Sequence, residues 1–321
     1  MNFNYMLLDK HLDCTILIPL KDRPKCTKKL MNFLNKNNFP YKIIIADGGK
    51  NKAIEKKLLN KENYKNLDYQ YIRYPFDATL ENFYEKMSDS VQRIKTSNAC
   101  VMDNDDLFYI DGIKKCLSIL EESSFSSARG SIIQKGKNIY HTFPMSIIQN
   151  NAIERMKDQT IHFHGNWHNV SRTKHIVATW RLIEKVRPRN FRFVEQITGY
   201  LLTIWGNSYR GEFQYIERFS NERIETSDGK LSNHFPSQEK WIKSDYWPIE
   251  FNKLAEVIAS SISYLDNIDI RESIKVFCDT YPLKYPNLKD LLKSRIDEAS
   301  QIGYDFNRIS EMHYILSSLN V

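Results

Sequence analysis

The stretch ACVMDNDDLFYIDG, Ala99–Gly112, decides how this chain is read. Its first four residues, ACVM, form a short apolar run, the pattern of a strand buried on both faces. Three carboxylates follow within four positions: Asp103, Asp105 and Asp106, with Asn104 between the first two. Like charges this close disfavour one another's ionisation unless something neutralises them. Hard oxygen ligands at a strand end suit a divalent cation such as Mg2+ or Mn2+, with substrate phosphates completing the shell. A solvated acidic turn, or a cap for the helix expected over Ile110–Ser123, would also place aspartates here. An EF-hand loop does not fit, because its glycine and closing glutamate are missing at the required spacing.

Upstream, strand and helix patterns alternate. CTILIPL (Cys14–Leu20) reads as a buried strand and Thr27–Asn37 carries apolar residues at helical spacing. Tyr41–Gly49 is a second strand ending in an Asp-Gly-Gly turn signal. Helix, strand and helix follow over Asn51–Lys61, Leu67–Tyr74 and Ala78–Ile94. This alternation predicts an α/β fold, a mostly parallel sheet with helices on both faces. Such sheets bind ligands beyond the carboxyl ends of their strands, where Asp22, Asp47 and Asp103 all fall.

After residue 125 the pattern changes. Ser131–Pro144 reads as hairpin, and His162–His175 is dense in histidine and aromatic residues. Asn190–Gly206 reads as a loop leading into a helix that begins near Glu195, and Ser208–Asn221 as a strand pair. From about residue 248 the chain turns helical, with an apolar stripe at Phe251, Leu254, Val257, Ile258, Ile262 and Leu265. Two further helices are expected over 287–299 and 305–319. The expected organisation is one α/β domain over 1–247, divided into halves 12–125 and 126–247, and a helical extension over 248–321.

Composition narrows the class. With 321 residues, 41% of them hydrophobic, the chain can bury a large core. The net charge of +7 favours anionic partners such as phosphates, nucleotides or a membrane surface. Zinc-finger spacing, RNA-binding aromatic signatures and long basic helices are absent, so nucleic acid is not an expected partner. Five cysteines, widely spaced and without a CxxC pair, point to a reducing compartment and away from a disulfide framework. The N-terminus lacks a secretory pattern and no apolar run is long enough to span a bilayer. The expected location is the cytoplasm, with the inner face of the membrane also open.

TILIPLKDRP, KIIIADGGKN and CVMDNDDLFYIDG, in this order and spacing, resemble the nucleotide-sugar-binding half of GT-A glycosyltransferases, and among these the inverting family 2. The likeness rests on Pro19, Asp22 and Arg23; on Asp47 and Gly48; and on Asp103, Asn104, Asp105 and Asp106. It covers residues 12–125 well and 160–240 more loosely. Asp22 stands where asparagine is common, and ADGGKN replaces the commoner DDGSTD, so one of two paired aspartates is missing.

The resemblance implies a nucleoside-diphosphate-sugar donor and a Mn2+ or Mg2+ ion. Asp47 would then hydrogen-bond the base or ribose, Asp105 would ligate the metal, and Asp103 would touch the ribose or a metal-bound water. Arg23 or Lys21 would add a positive contact to phosphate. Gly165, in the small-residue loop HGNWHN, would lie near the donor sugar, and His234 would join the metal. Glu195 in FVEQITGY would be the base that deprotonates an acceptor hydroxyl, although Gln196 replaces the usual second acid. Glu184 and Asp158 are alternative bases. Trp167 and His168 would stack on and hydrogen-bond a sugar. Arg218 and Arg223 would meet an anionic acceptor or donor phosphate, in a polar loop over Tyr215–Lys230. The acceptor would be a glycan or a lipid-linked molecule. A sugar nucleotidyltransferase is the second reading, weakened because PLKDRPKC lacks glycine; a non-catalytic nucleotide- or glycan-binding module is the third.

Overall fold

The computed structural model describes residues 13–134, 139–141, 145–218, 235–284 and Tyr314. The first half runs β1 (Cys14–Leu20), α1 (Pro24–Lys36), β2 (Lys42–Asp47), α2 (Glu55–Leu59), β3 (Tyr69–Arg73), α3 (Leu80–Gln92) and β4 (Asn98–Val101). These strands pair in parallel in the order β3-β2-β1-β4. Alternation along each strand serves two helical layers. Cys14, Ile16, Ile18, Ile43 and Ile45 face a core that includes Leu30 and Leu34 of α1. Leu17, Ile44, Ala46 and Val101 face the other, with Tyr84, Met87 and Val91 of α3.

The second half continues with β5 (Asp106–Phe108), α4 (Ile110–Glu122), β6 (Phe125–Gln134), β7 (Ile139–His141), α5 (Ala152–Ile161), β8 (Val170–Arg172), α6 (Thr173–Val186), α7 (Phe191–Ile204) and β9 (Asn207–Arg218). The sheet extends past β4 as β8-β6-β9-β5, with β7 beside β6. Here the directions are mixed: β8 is antiparallel to β4 and β6, β9 is parallel to β6, and β5 is antiparallel to β9. The sheet expected to be mostly parallel is parallel throughout its first half and mixed in its second.

Three local expectations are corrected. The described part of Ser208–Asn221 is not a strand pair; β9 is one strand to Arg218, and the register of its pairing with β6 shifts between Arg129–Arg210 and Ser131–Gln214. Helix α7 begins at Phe191, four residues before Glu195, because the Asn190 side chain accepts from the Phe193 N–H at 3.0 Å and caps it. The end of the histidine-rich segment His162–His175 opens helix α6, Thr173–Val186, a helix the sequence reading did not include, whose Ile176, Trp180 and Ile183 are buried.

Helices α8 (Gln238–Ile242), α9 (Trp247–Asp266) and α10 (Ile270–Thr280) complete the described chain. Phe251, Leu254, Val257, Ile258 and Ile262 of the expected stripe are buried in the same core as Leu17 and Val101, and Leu265 packs against its edge. Trp241 packs edge-on against Trp247, which stacks on Phe251, with centroids 6.3 and 4.8 Å apart. The helices expected over 287–299 and 305–319 lie outside the described residues, apart from Tyr314.

Candidate functional site

From β1 the chain passes through α1 to β2 on one side, and later returns to β4 on the other. That reversal of strand order opens a crevice beyond the carboxyl ends of β1 and β4. Lys21–Arg23 leave β1 there, and the acidic cluster leaves β4 opposite. Asp22 and Arg23 both adopt left-handed backbone, with φ of 62° and 60°, which is strained for residues other than glycine. Their side chains hold the turn: the Asn51 N–H donates to Asp22 Oδ1 at 2.6 Å, and Arg23 Nη1 donates to Asp105 Oδ2 at 2.8 Å. Asn104 donates to Thr27 Oγ1 at 2.9 Å, fixing the middle of the acidic turn to α1.

Behind this rim, Asp47 is buried and its oxygens are engaged. Oδ1 accepts from the Gly49 N–H at 2.8 Å; Oδ2 accepts from the Tyr71 hydroxyl at 2.7 Å and from Arg73 at 2.8 Å. Gly48 has no room for a side chain, since a Cβ there would lie 2.3 Å from Asp77 Oδ1. Asp77 pairs with Lys86, whose ammonium also donates to the Leu20 carbonyl at 2.9 Å. Burial raises the Asp77 carboxyl and lowers the Lys86 ammonium, each opposed by the other's charge. No reading of the sequence had singled out this pair.

The acidic turn splits in two directions. Asp105 goes to Arg23. Asp103 and Asp106 turn toward His168, whose Nε2 lies 3.6 Å from Asp103 Oδ2 and 3.7 Å from Asp106 Oδ2. These three groups present ligand atoms within 4.8 Å of one another. His168 is 5% exposed and its Nδ1 lies 3.1 Å from the Val101 carbonyl oxygen. Burial first, and then the charge of Arg218, push its imidazole down to about 3, so the ring is neutral at pH 7. Burial, reinforced by the charge of Asp103, raises the Asp106 carboxyl well above the usual range. Arg218, at the end of β9, reaches to 3.8 Å from Asp106 and partly offsets this. Two carboxylates and a neutral imidazole are a donor set that fits a divalent cation.

Across the crevice, Glu195 lies in the second turn of α7. The loop before β8 approaches so closely that a Cβ on Gly165 would sit 2.8 Å from Glu195 Cγ. Thr198 locks the loop down by donating to the Gly165 carbonyl at 2.7 Å, and Asn166 donates to the Gly199 carbonyl at 2.9 Å. Arg192, one helical turn back, pairs with Glu195. It also donates to the Pro236 carbonyl at 3.1 Å and stacks on Phe235 at 4.1 Å.

These parts border one cavity of about 530 Å³. Pro19, Lys21, Arg23, Asp103, Asn104 and Asp105 line one side; Gly165, Trp167, His168 and Glu195 line the other. Leu80, Phe83, Phe191, Val194 and Phe235 add an apolar wall beside Glu195. Trp167 faces the cavity and packs edge-on against Trp180, centroids 5.5 Å apart. Asp22, Asp47 and Gly48 stand behind the lining, while Asp158 and Glu184 lie on α5 and α6 and are not among its residues. Arg223 and His234, and most of the expected polar loop, lie outside the described residues. Asp77, Lys86 and Arg192 had no sequence signal tying them to the site.

Structural comparison places this arrangement in a known fold. The crystal structure of residues 1–349 of TarS from S. aureus, in complex with UDP-GlcNAc, matches with a TM-score of 0.56 and 11% identity, over 96% of this chain and 88% of that one. The UDP complex of the same TarS segment matches with a TM-score of 0.53 and 10% identity, over 96% and 91%. TarS is a GT-A glycosyltransferase, and this chain has the GT-A fold with a helical C-terminal region. No protein-family model matches the sequence, and no curated protein matches it. No helix among the described residues is long and apolar enough to cross a membrane.

Proposed function

We propose that this protein is a glycosyltransferase that moves a sugar from a nucleoside-diphosphate-sugar donor to a hydroxyl of a glycan or lipid-linked acceptor, with inversion at the sugar carbon. The observation that carries this reading is the shared cavity. A carboxylate on α7 and an acidic cluster at the switch point of the parallel sheet face the same space. The matched TarS structures support the donor class, since one was solved with UDP-GlcNAc and one with UDP.

The donor's diphosphate would lie along the rim between Lys21–Arg23 and Asp103–Asp105. Arg23 supplies a positive contact there, and its pairing with Asp105 holds it over the cavity. Asp103 and its acidic neighbours would hold a divalent cation, which neutralises charge developing on the leaving diphosphate. Glu195 would accept the proton of the acceptor hydroxyl. Gly165, lacking a side chain, leaves the sugar carbon access to that carboxylate. Arg192 orients the carboxylate by pairing with it until the acceptor arrives. Trp167 and the apolar wall would cover the less polar faces of donor sugar and acceptor. Asp47, with its oxygens held by Tyr71 and Arg73, would shape the nucleoside pocket from behind. If the acceptor is lipid-linked, the positive net charge favours work at an anionic membrane face.

The test is release of nucleoside diphosphate from a panel of nucleotide sugars, by the wild type and by Glu195→Gln. One donor should be consumed by the wild type, with slow hydrolysis serving as the readout without acceptor. Glu195→Gln should lose turnover while retaining nucleotide affinity. Consumption of no donor by folded protein, or full turnover in Glu195→Gln, would overturn the assignment.

A further inference from the structure

Glu250 stands in the first turn of α9 between Trp247 and Phe251, both fully buried, and is itself 3% exposed. A buried carboxylate is costly unless its oxygens are hydrogen-bonded, and an apolar side chain would fill the same space without that penalty. Burial pushes this carboxyl up, opposed by hydrogen bonds from Trp241, Arg189 and Asn190. Two of those three donors belong to the segment that starts α7. The Arg189 backbone N–H donates to Oε1 at 3.0 Å, and the Asn190 side-chain amide donates to Oε2 at 3.1 Å. The third, the Trp241 indole N–H, comes from α8 and shares Oε2. Asn190 Oδ1 in turn accepts from the Phe193 N–H at 3.0 Å and caps α7. One carboxylate therefore holds the residue that caps the helix bearing Glu195. From the other side, the Tyr84 hydroxyl of α3 donates to the Pro188 carbonyl at 2.9 Å. Glu195 follows Asn190 by five residues, about 7.5 Å along a helix axis. Between them Phe193 packs on Trp241, centroids 5.9 Å apart, and Arg192 pairs with Glu195.

We infer that Glu250 is a positioning residue: by fixing Arg189 and Asn190 it sets where α7 begins, and so where the Glu195 carboxylate stands in the cavity. Glu250 is not among the residues that line the cavity and acts only through α7. Helices α8 and α9 then belong to the working site, because they carry Trp241 and Glu250. What Glu195 does for turnover rests on the transferase reading; the grip on α7 does not. Glu250→Gln keeps the shape of the side chain but turns one acceptor into a donor, so an N–H must face an N–H at one end. Either orientation of the amide loses a bond, to Arg189 or to Asn190. The effect should spread to the loop before β8, because Thr198 of α7 donates to the Gly165 carbonyl at 2.7 Å.

The experiment compares the full-length wild type, Glu250→Gln, Glu195→Gln and the double variant by steady-state kinetics, nucleoside-diphosphate binding and hydrogen exchange read by mass spectrometry. In the wild type, peptides over 189–198 should be protected, since the Arg189 and Phe193 amides are both bonded. Glu250→Gln should speed exchange there and over 163–168 by about tenfold or more, with peptides of β1 and β2 unchanged. It should lower kcat about tenfold or more, with donor KM and nucleotide affinity within about twofold of wild type. In the Glu195→Gln background the same substitution should cost almost no further turnover, because its effect runs through that carboxylate. General loosening would instead speed exchange in every peptide and multiply with the Glu195→Gln loss. Asn190→Ser keeps a capping oxygen for Phe193 and drops the amide that meets Glu250. It should show the same split between kcat and affinity, and it carries the test if Glu250→Gln does not fold. Unprotected 189–198 in the folded wild type, unchanged kcat in folded Glu250→Gln, or multiplied losses in the double variant would overturn the inference and leave the transferase standing. A wild type that consumes no donor, with the exchange pattern as expected, would overturn the transferase and leave the grip on α7.

Discussion

The two halves of the sheet differ in how they are built and in what they position. In the parallel half, β3-β2-β1-β4, each strand pairs with neighbours reached through a single helix or one crossover, and its loops form the rim of the crevice. In the mixed half, β6 pairs with β9 across about eighty residues of chain, as in Ser127 with Ser208, and β8 reaches back to β4. That half delivers the groups that face the rim: Gly165 and His168 from the loop before β8, and Glu195 from α7. One half therefore offers the surface for a donor, and the other brings chemistry to it. If this division is right, substitutions in the two halves should separate binding from turnover.

The largest effect is expected at Glu195. Glu195→Gln should reduce transfer by roughly two to four orders of magnitude, the usual worth of a general base, with donor affinity within about twofold of wild type. Steady-state kinetics beside equilibrium nucleotide binding would show this; parallel losses in both would dissolve the distinction between the halves.

Lys86 probes the parallel half through stability. Lys86→Met leaves Asp77 buried without its partner and should cost about 3–5 kcal/mol in a denaturant titration. The double variant Lys86→Met with Asp77→Leu should recover most of that loss. A single variant as stable as the wild type would show that the pair does not support the segment between β3 and α3.

Gly165 tests the contact between the loop and α7. A methyl group placed 2.8 Å from Glu195 Cγ must displace one of them. Gly165→Ala should slow transfer about tenfold or more, since small misplacements of reacting groups are costly, while nucleotide affinity holds. Unchanged kinetics would mean that Glu195 has freedom the packing does not suggest.

The smallest effect concerns His175, buried on α6 in the second half. Burial first, then Lys174 and Arg172, push its imidazole down to about 3, below its unfolded value near 6.5. The unfolded chain thus binds a proton that the folded chain refuses. Stability present above pH 6.5 is lost as pH falls toward 3, by at most about 1.4 kcal/mol per pH unit from this group. Melting curves between pH 7 and 5 should be flatter for His175→Phe than for wild type; equal slopes would place the acid sensitivity elsewhere.

The same division explains what the sequence made legible. Strands β1, β2 and β4 show as short apolar runs between helical patterns because the sheet there is covered on both faces. The acidic turn and Glu195 were visible as residue types in a recognisable order. The split within the turn was not. Nothing local to Asp105 or Asp106 says that Arg23 engages one while β9 and His168 enclose the other, because those partners lie 62 or more positions away in the chain. Asp47 is similar. Its register partner Arg73 occupies a carboxylate oxygen, and that register exists only once β2 and β3 have paired. Helix α6 hid behind its histidine and aromatic residues, whose burial is decided by tertiary packing against α3 and α7.

The central claim is that the crevice between β1 and β4 binds a nucleoside diphosphate. The direct measurement is the melting temperature of the wild type, Asp103→Asn and Glu195→Gln against a panel of nucleoside diphosphates, with and without Mn2+. Binding to the native state alone raises the melting temperature by mass action. One nucleotide should stabilise the wild type and Glu195→Gln alike, most strongly with Mn2+, and should stabilise Asp103→Asn far less. A folded wild type that no nucleotide stabilises, or a shift that survives unchanged in Asp103→Asn, would contradict the account.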